Sequence, residues 1–599
     1  MNENIALNIS ALHKAYAKNI RPVQIIEQIY NRIDEVGDPN IFICLFSKEE
    51  VIRTVEALGE YNPDLPLWGV PYVIKDNIDF AGKPTTAGCP EYAYIADKSA
   101  FVVKCLQEAG AVLLGKTNLD QFATGLVGVR TPYGAPLNAL DTELVPGGSS
   151  SGSAVCVAHG IASFSLGTDT AGSGRVPAAL NNIVGLKPTL GSISSTGVVP
   201  ACRTLDTVSI FALTASDAYT VFSVAAKFDK TDSFAKSIST PSLVTPPKSL
   251  NIGIPSSKSI RFEDDKLQQQ SFTETIKRFE ENGAHILEVD FQPFYEIASM
   301  LYFGPWVAER FVAIEDLMDK DPDAVFHVTR KIIETANNFS AVDTFKGLYK
   351  LKQLIGELRP IINNCDLLCV PSIPTFVKLS DLELDPFGPN NLLGTYTNFV
   401  NLMDLCAISV PTATRVDGRP GSITLIAKAE NDPEIAALAC SVEAWGHRTL
   451  GATNWPVEQT NLQDATSDKF ICIAVCGAHL TGLPLNSSLT NLGARFLRSD
   501  RTAKEYKFYA LPNSDVAKPG LIRSSTKDGT SVSVELWEIP ANNFGELIRT
   551  VPAPLCIGTI KLLDGSDVKG FLCEGFAADI SEDISDIADW RAYLAKNPV

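Results

Sequence analysis

Apolar positions along the first half of the chain follow two alternating spacings. In residues 5–37 they recur every three or four positions, which predicts helix. The short apolar run "LWGVPYVIKDNID" closes on polar residues and predicts a buried strand that ends at Lys75-Asp76-Asn77. Helix then strand follows again in "SAFVVKCLQEAG" with "AVLLGKTN", and in "SGSAVCVAHGIA" with "SFSLGTDT". This order predicts an α/β fold with helices on both faces of a sheet.

Two stretches without apolar periodicity divide the rest of the chain. Residues 226–250 are polar and rich in Pro, Ser and Thr, which indicates a surface excursion; the strand "NIGIP" and then helices follow to about residue 450. Residues 451–469 form a predicted linker. Beyond it lie short strands such as "SVSVELWEIP", and "LCIGTIKLLDGSDVKGFLCEGF" predicts a hairpin. We therefore predict an α/β domain over 1–450 and a smaller β-rich domain over 470–599.

Composition narrows the class of protein and its partners. A chain of 599 residues is long enough for two or three domains. Its formal net charge of −18 argues against nucleic acid or an anionic membrane as a partner. The 13 cysteines are scattered without a CxxC pair, which favours reduced thiols in the cytoplasm over disulfides or zinc. No secretory signal, metal site or cofactor motif is predicted.

Candidate chemistry lies in two Gly/Ser-rich stretches, "PGGSSSGSAV" and "TDTAGSGR", on either side of one short apolar segment. Gly172 and Gly174 let the backbone turn sharply around Ser173, so that N–H groups of the loop face a developing negative charge. Asp169 and Arg175 bracket the loop and are predicted to pair. The stretch thus fits a nucleophile with its oxyanion donors, and the alternative interpretation is a plain strand-to-helix turn.

The best candidate for the base is a lysine. Lys75 ends an apolar strand, where burial lowers the pKa of an ammonium until it can accept a proton. Ser149, in the first Gly/Ser stretch, is the predicted relay between Lys75 and Ser173. His159 is predicted to be a packing residue. The alternative for Lys75 is a surface lysine at a strand end.

These motifs together resemble the amidase signature family over residues 20–450. The resemblance rests on "GVPYVIKDNID", "GGSSSGSA" and "GTDTAGSGRVPAALNNIVGLKPT". It implies a mixed sheet and a Ser–Ser–Lys triad, with Ser173 as nucleophile, Ser149 as bridging serine and Lys75 as base. It also implies that the oxyanion hole is formed by the backbone of Thr170, Ala171, Gly172 and Ser173. Ala171 and Gly174 depart from the pattern of many relatives, which implies a pocket reshaped for a compact polar substrate.

The second domain narrows the substrate. "CGAHLTGLPLN" resembles a loop of γ-glutamylcyclotransferase-like domains. An amidase domain followed by such a domain resembles the allophanate-hydrolysing branch of the family, which acts in ATP-dependent urea degradation. The product, N-carboxycarbamate, must then lose carbon dioxide, and His479, titrating near neutrality, is the candidate acid or base. The alternative is that this domain supports only folding or dimerisation.

A substrate with a carboxylate needs a fixed cation. The segment "SMLYFGPWVAER" is predicted to be one helix that carries Tyr302 and Arg310 on the same face. The resemblance points to the same pair as the carboxylate-binding residues. The alternative is a core tyrosine and a surface arginine.

The resemblance also implies a homodimer, and the cysteine pattern favours the cytoplasm. The sequence shows no biotin-carboxylase module, so we expect a separate biotin-dependent urea carboxylase as the source of allophanate. Three alternatives stay open: another small-amide amidase, a glutaminase-type subunit of an amidotransferase, and a non-catalytic scaffold.

Overall fold

The computed structural model describes residues 4–247, 249–446, 448–458, 460, 462, 470–512, 516–524, 528–541 and 543–597. The chain divides into two compact units, Met1–Asn461 and Leu462–Val599. The first residues of the predicted linker belong to the first unit, because the Leu450 N–H donates to the Trp455 carbonyl at 2.9 Å and the Trp455 side chain is buried. Residues 463–469 of that linker lie outside the described residues.

The first unit is built around an eleven-stranded sheet. Its strands, with the two of a small separate hairpin (β3 and β4), are β1 (Phe42–Leu45), β2 (Pro71–Lys75), β3 (Pro84–Thr85), β4 (Tyr94–Ile95), β5 (Val112–Thr117), β6 (Phe164–Asp169), β7 (Val184–Lys187), β8 (Thr207–Ala212), β9 (Asn251–Pro255), β10 (His285–Val289), β11 (Leu367–Pro371), β12 (Leu405–Pro411) and β13 (Ser422–Lys428). The order across the sheet is β1-β5-β2-β6-β8-β7-β12-β13-β11-β9-β10. β2 runs parallel to β5 and β6, whereas β12 and β13 are antiparallel, so the sheet is mixed.

The first unit also contains α-helices, several of which pack on the sheet. They are α1 (Ile9–Ala17), α2 (Pro22–Val36), α3 (Lys48–Glu56), α4 (Phe101–Glu108), α5 (Ser151–Ala158), α6 (Val176–Leu180), α7 (Ala215–Ala225), α8 (Lys266–Glu281), α9 (Gln292–Phe303), α10 (Val307–Val312), α11 (Glu315–Lys320), α12 (His327–Glu334), α13 (Ala341–Asn364), α14 (Leu379–Leu384), α15 (Gly388–Leu393), α16 (Asn398–Leu402) and α17 (Asp432–Ala444). Helix α5 contacts β2 and β6, and α17 contacts β12 and β13. No helix among the described residues is both long and apolar enough to cross a membrane.

The predicted α/β fold is confirmed, and strands β2, β5 and β6 lie where the apolar runs predict them. The prediction of helices between residues 256 and 450 is wrong in part, because β10, β11, β12 and β13 fall there. β11 and β12 are almost entirely buried. A strand buried on both faces is continuously apolar, and that pattern does not differ from a buried stretch of helix.

The second unit is β-rich, as predicted. Its elements are β14 (Phe470–Val475), α18 (Asn486–Thr490), β15 (Arg495–Arg501), β16 (Tyr506–Ala510), β17 (Pro519–Arg523), β18 (Ser533–Pro540), α19 (Phe544–Arg549), β19 (Leu555–Lys561), β20 (Asp567–Cys573), β21 (Glu582–Asp583) and α20 (Trp590–Lys596). Two sheets, β15-β18-β14-β20-β19 and β17-β16-β21, enclose one apolar core. β19 and β20 form the predicted hairpin, and Gly565 in its turn has a φ of +89°.

Close packing of α5 explains why residue 152, in the first Gly/Ser stretch, is a glycine. A Cβ on Gly152 would lie 2.3 Å from the Ile41 carbonyl oxygen and 2.7 Å from the Asn118 nitrogen. Both obstacles are backbone atoms, which cannot rotate away. Part of this stretch is therefore glycine-rich because a helix lies directly against neighbouring backbone.

We predict that Gly152→Ala lowers the free energy of unfolding by roughly 1–3 kcal/mol, the usual cost of overpacking. The measurement is the urea midpoint of the first unit. Gly356→Ala, in the exposed part of α13 with nothing within 4 Å of its Cβ, is the matched control. The free energy of unfolding of Gly356→Ala should rise by about 1 kcal/mol, because alanine has the higher helix propensity. Equal effects of the two substitutions would contradict the packing argument.

Candidate active site

Two parallel neighbouring strands bring the predicted triad residues to one edge of the sheet. In the register of β2 and β6, Tyr72 faces Phe164 and Ile74 faces Leu166. Lys75, the last residue of β2, is therefore level with Gly167, two residues before β6 ends and the second Gly/Ser loop begins. Functional side chains collect at such carboxyl edges in α/β sheets.

Lys75, Ser149 and Ser173 form one continuous chain of hydrogen bonds. The Lys75 Nζ donates to the Ser149 Oγ at 2.7 Å, and the Ser149 Oγ lies 3.0 Å from the Ser173 Oγ. All three side chains are almost completely buried. Ser149 follows a cis peptide bond from Gly148 and precedes α5. The three predicted residues are thus brought together in the order that a proton relay requires.

Burial lowers the pKa of Lys75 to about 7, although the nearby carboxylates of Asp120, Asp206 and Asp169 act to raise it. An ammonium out of water loses its hydration, which favours the neutral amine. Near neutral pH a substantial fraction of Lys75 is therefore unprotonated. The alternative of a surface lysine does not hold, since none of the Lys75 side chain is exposed.

The loop that carries Ser173 is held by a buried ion pair. The Asp169 carboxylate accepts two hydrogen bonds of 2.9 Å from the Arg175 guanidinium, and one of 3.0 Å from the Gly174 N–H. Burial alone raises the pKa of Asp169, but the Arg175 charge and these hydrogen bonds lower it overall. Arg175 also donates to the Thr397 carbonyl and to the Asn401 side chain, both at 3.1 Å. The predicted Asp169–Arg175 pair is present and joins the loop to α16.

The predicted oxyanion hole needs one correction. The amides implied by the resemblance are those of Thr170, Ala171, Gly172 and Ser173. The Gly172 N–H donates to the Asp169 carboxylate at 3.0 Å, so it is already engaged. Gly172 instead serves the turn: its φ is +131°, and a Cβ there would lie 2.3 Å from the Thr397 Oγ1.

Tyr302 and Arg310 meet, but not through the predicted single helix. The chain breaks between α9 and α10 at Gly304 and Pro305, and Gly304 is extended, with φ −123° and ψ −175°. A residue before proline is pushed out of the helical conformation, which the three- and four-residue spacing does not reveal. The Arg310 Nη2 nevertheless lies 3.5 Å from the Tyr302 hydroxyl, and its guanidinium lies over the tyrosine ring.

Arg310 is a buried cation without a carboxylate partner among the described residues. Its Nη1 donates to the Thr124 Oγ1 at 3.0 Å and to the Ala123 carbonyl at 3.4 Å. Its Nε has no hydrogen-bond partner in the described part of the chain. Arg310 is only 2% exposed and influences the pKa of Lys75, so it shares the site with the triad. Such a cation is suited to hold an anion.

Sequence reasoning missed three residues of the site. Thr168 accepts a second hydrogen bond from Lys75, at 2.8 Å. The buried Asp120 carboxylate accepts from the backbone N–H groups of a neighbouring loop, and its own N–H donates to the Ser149 carbonyl at 3.0 Å. Asp206 accepts from the Thr170 hydroxyl. Neither carboxylate belongs to the motifs that marked the triad, and only Thr168 has a signal, since it sits in the quoted "GTDTAGSG".

His479 lies in the second unit, in the loop after β14. It lines a cavity of about 210 Å³ and stacks on Phe571, with ring centroids 4.8 Å apart. Burial, with a smaller effect of Lys518, lowers its pKa to about 4. The expectation that this histidine titrates near neutrality is therefore wrong for the protein without a ligand: the imidazole is neutral there.

Family comparisons agree with this geometry. Residues 24–435 match the Amidase family, and residues 471–595 match the family described as the allophanate hydrolase C-terminal domain. The chain belongs to the amidase family and carries this C-terminal domain behind its amidase region.

Individual relatives come from more than one branch of the amidase family. The chain is 42% identical over 591 residues to urea amidolyase of Saccharomyces cerevisiae, covering 96% of this chain and 32% of that protein. It is 32% identical to a glutamyl-tRNA(Gln) amidotransferase subunit of Methylacidiphilum infernorum, over 70% of this chain and 90% of the relative. A solved structure of Kluyveromyces lactis allophanate hydrolase superimposes with a TM-score of 0.76 at 39% identity, covering 99% of this chain and 100% of that one. The chain spans about a third of the length of the urea amidolyases it matches.

We predict that Thr168→Val moves the acid limb of the pH–rate profile to lower pH. With Lys75 as the base, kcat/KM for an amide rises as pH passes through the pKa of about 7. Removing an oxygen that accepts from the charged ammonium disfavours that form, so the pKa falls. The maximal rate should fall too, because Lys75 loses one of two orienting contacts.

The control is Ser163→Ala, which removes a buried hydroxyl just before β6 that has no partner among the described residues. Its pH profile should match the wild type. An acid limb that stays in place in Thr168→Val would argue against Lys75 as the titrating group.

Proposed function

We propose that this protein hydrolyses allophanate at its terminal amide, through an acyl-enzyme on Ser173. One observation carries the proposal: a buried relay of Lys75, Ser149 and Ser173 shares its site with Arg310, a buried cation without a carboxylate partner among the described residues. Allophanate has an amide for the nucleophile and a carboxylate for the arginine. The similarity to the Kluyveromyces lactis enzyme over the whole chain supports this choice.

In the first step, neutral Lys75 receives the Ser173 proton through the Ser149 hydroxyl, and the Ser173 Oγ attacks the amide carbon. Backbone N–H groups of Thr170, Ala171 and Ser173 are the proposed donors to the oxyanion. The C–N bond then breaks, and the proton returns along the relay to the leaving group, which departs as ammonia. Water attacks the acyl-enzyme by the same route and releases N-carboxycarbamate, and Ser173 regains its proton.

The substrate carboxylate is held away from the reacting carbon in this proposal. The Arg310 fork offers its Nε and Nη2 hydrogens, and the Tyr302 hydroxyl offers one more. Because these groups are buried, little water competes with the substrate for them. The site thereby selects small amides that carry an anion.

The second unit is proposed to assist loss of carbon dioxide from N-carboxycarbamate, with His479 as the acid that protonates the nitrogen. The cavity beside His479 is lined mostly by apolar groups, which favours a reaction that disperses charge. Its match to the allophanate hydrolase C-terminal domain supports a role in this reaction.

We further propose a cytoplasmic homodimer that receives allophanate from a biotin-dependent urea carboxylase. The thirteen free cysteines support a reducing compartment. The dimer and the carboxylase rest on the resemblance to the family.

A glutaminase-type amidotransferase subunit is the second candidate, favoured by the 32% identity to the Methylacidiphilum infernorum protein. The C-terminal domain and the similarity to allophanate hydrolase over the whole chain weigh against it.

We predict that the purified chain releases ammonia from allophanate, and more slowly from biuret, malonamate and a long-chain amide. Ser173→Ala should remove this activity at unchanged stability, because no other group can form the ester. Ammonia release and the mass of the acylated protein are the two measurements. Inactivity of the isolated chain on allophanate, with activity only beside partner proteins, would favour the amidotransferase candidate.

We predict that Arg310→Gln removes roughly 2–5 kcal/mol of transition-state stabilisation for allophanate. The value of kcat/KM should therefore fall by a factor between tens and thousands. For biuret, which is neutral, kcat/KM should fall far less in the same variant. Arg310→Lys keeps the charge without the planar fork, so its kcat/KM for allophanate should lie between those of the wild type and Arg310→Gln. Equal losses on both substrates would assign Arg310 to the support of the fold.

A further inference from the structure

The His479 cavity contains a second basic side chain, Lys518. Lys518 lies directly before β17, and its carbonyl accepts from the Leu511 N–H at 3.1 Å. The next residue, Pro519, lies so close to the His479 loop that a Cβ on Gly477 would be 2.3 Å from the proline Cδ. This contact fixes the lysine and histidine segments side by side.

The charges around the cavity have one sign. Its ionisable lining residues are Cys476, His479 and Lys518, and no carboxylate belongs to the lining among the described residues. Burial raises the pKa of Cys476 to about 12, so the thiol is neutral. Lys518 forms no ion pair with a described residue. In a chain of net charge −18, a cavity lined only by basic and neutral groups selects anions.

The size of the cavity restricts the anion. At about 210 Å³ it is smaller than the sites of drug-sized ligands, and its walls include Val475, Leu485 and Phe571. The Phe571 ring stacks on the imidazole at an interplanar angle of 19°, and both rings line the cavity. A small ligand gripped by Lys518 therefore has its other end near His479.

We propose that Lys518 is the anion-binding residue of this cavity and holds one carboxylate of a small dicarboxylate, N-carboxycarbamate, beside the His479 imidazole. The proposal rests on the proposed decarboxylation and names the residue that positions its substrate. The bond between nitrogen and the free carboxylate breaks, its electron pair goes to nitrogen, and a proton from His479 joins that nitrogen. Carbon dioxide leaves, and the carboxylate on Lys518 remains as carbamate.

Binding also supplies the proton. Without a ligand His479 is neutral, because burial and the Lys518 charge disfavour the imidazolium. A dicarboxylate neutralises Lys518 and adds a negative charge beside the ring, so the histidine takes up a proton from water. The acid is thus formed only when the substrate is bound.

Malonate, with a methylene in place of the nitrogen, is a stable probe of this site. Ser173→Ala combined with Arg310→Gln silences the amidase site and serves as the background for calorimetry. There, Lys518→Met should weaken malonate binding at least tenfold, and Lys518→Arg should weaken it much less. Lys504→Met, at an exposed lysine that does not line the cavity, should bind as the background does.

The local readout is the imidazole NMR signal of His479, assigned by its loss in His479→Asn. Malonate should shift the titration of this signal to higher pH, and the shift should disappear in Lys518→Met. Undiminished malonate binding in Lys518→Met, or a His479 signal that malonate leaves unmoved, would overturn the proposal.

A turnover assay distinguishes failure of the Lys518 proposal from failure of the proposed decarboxylation. In the otherwise unmodified chain acting on allophanate, His479→Asn and Lys518→Met should delay the second ammonia and leave the first unchanged. Lys518-dependent malonate binding with an undelayed second ammonia in both variants would refute the decarboxylation and leave the anion site standing. A delay in His479→Asn alone would keep the decarboxylation and refute the role of Lys518.

Discussion

A single buried ion pair, Asp169 with Arg175, supports the geometry on which the amidase site depends. Both side chains are fully buried, and together they satisfy loop amides and groups of α16. A buried pair is weak evidence for stability, since desolvation offsets much of the attraction, but breaking it strands a charge. The pair is therefore best understood as a device that allows one loop conformation, the one that presents Ser173 to Ser149.

Buried charge of both signs surrounds that loop. Lys75 and Arg310 share the site with Asp120 and Asp206, each held by hydrogen bonds rather than by a direct ion pair with these two cations. The consequence is that the pKa of Lys75 is set by a balance: burial favours the amine, and three carboxylates limit the shift. This balance leaves the pKa of Lys75 near neutrality, whereas burial alone would lower it further.

The sequence predicts which three residues, Lys75, Ser149 and Ser173, come into contact, because each lies in a dense local pattern. Lys75 ends an apolar strand, and both serines stand among glycines that a sharp turn requires. Longer-range features escape such patterns. Asp120 acts on Ser149 from a separate segment, and the break at Gly304 leaves Tyr302 and Arg310 in contact by a route that helical spacing does not describe. The strands β11 and β12 escape prediction for a related reason, since burial on both faces removes the alternation that identifies a strand.

Because Lys75, the proposed base, has a pKa of about 7, its protonation responds to small changes in the local pH. In the proposed reaction the first product to leave is ammonia, a base that takes up protons from its surroundings. As it accumulates, the local pH rises and a larger share of Lys75 becomes the amine. With Lys75 as the proposed base, turnover would rise with the local pH until the surrounding buffer restores that pH, and acidification would slow the reaction.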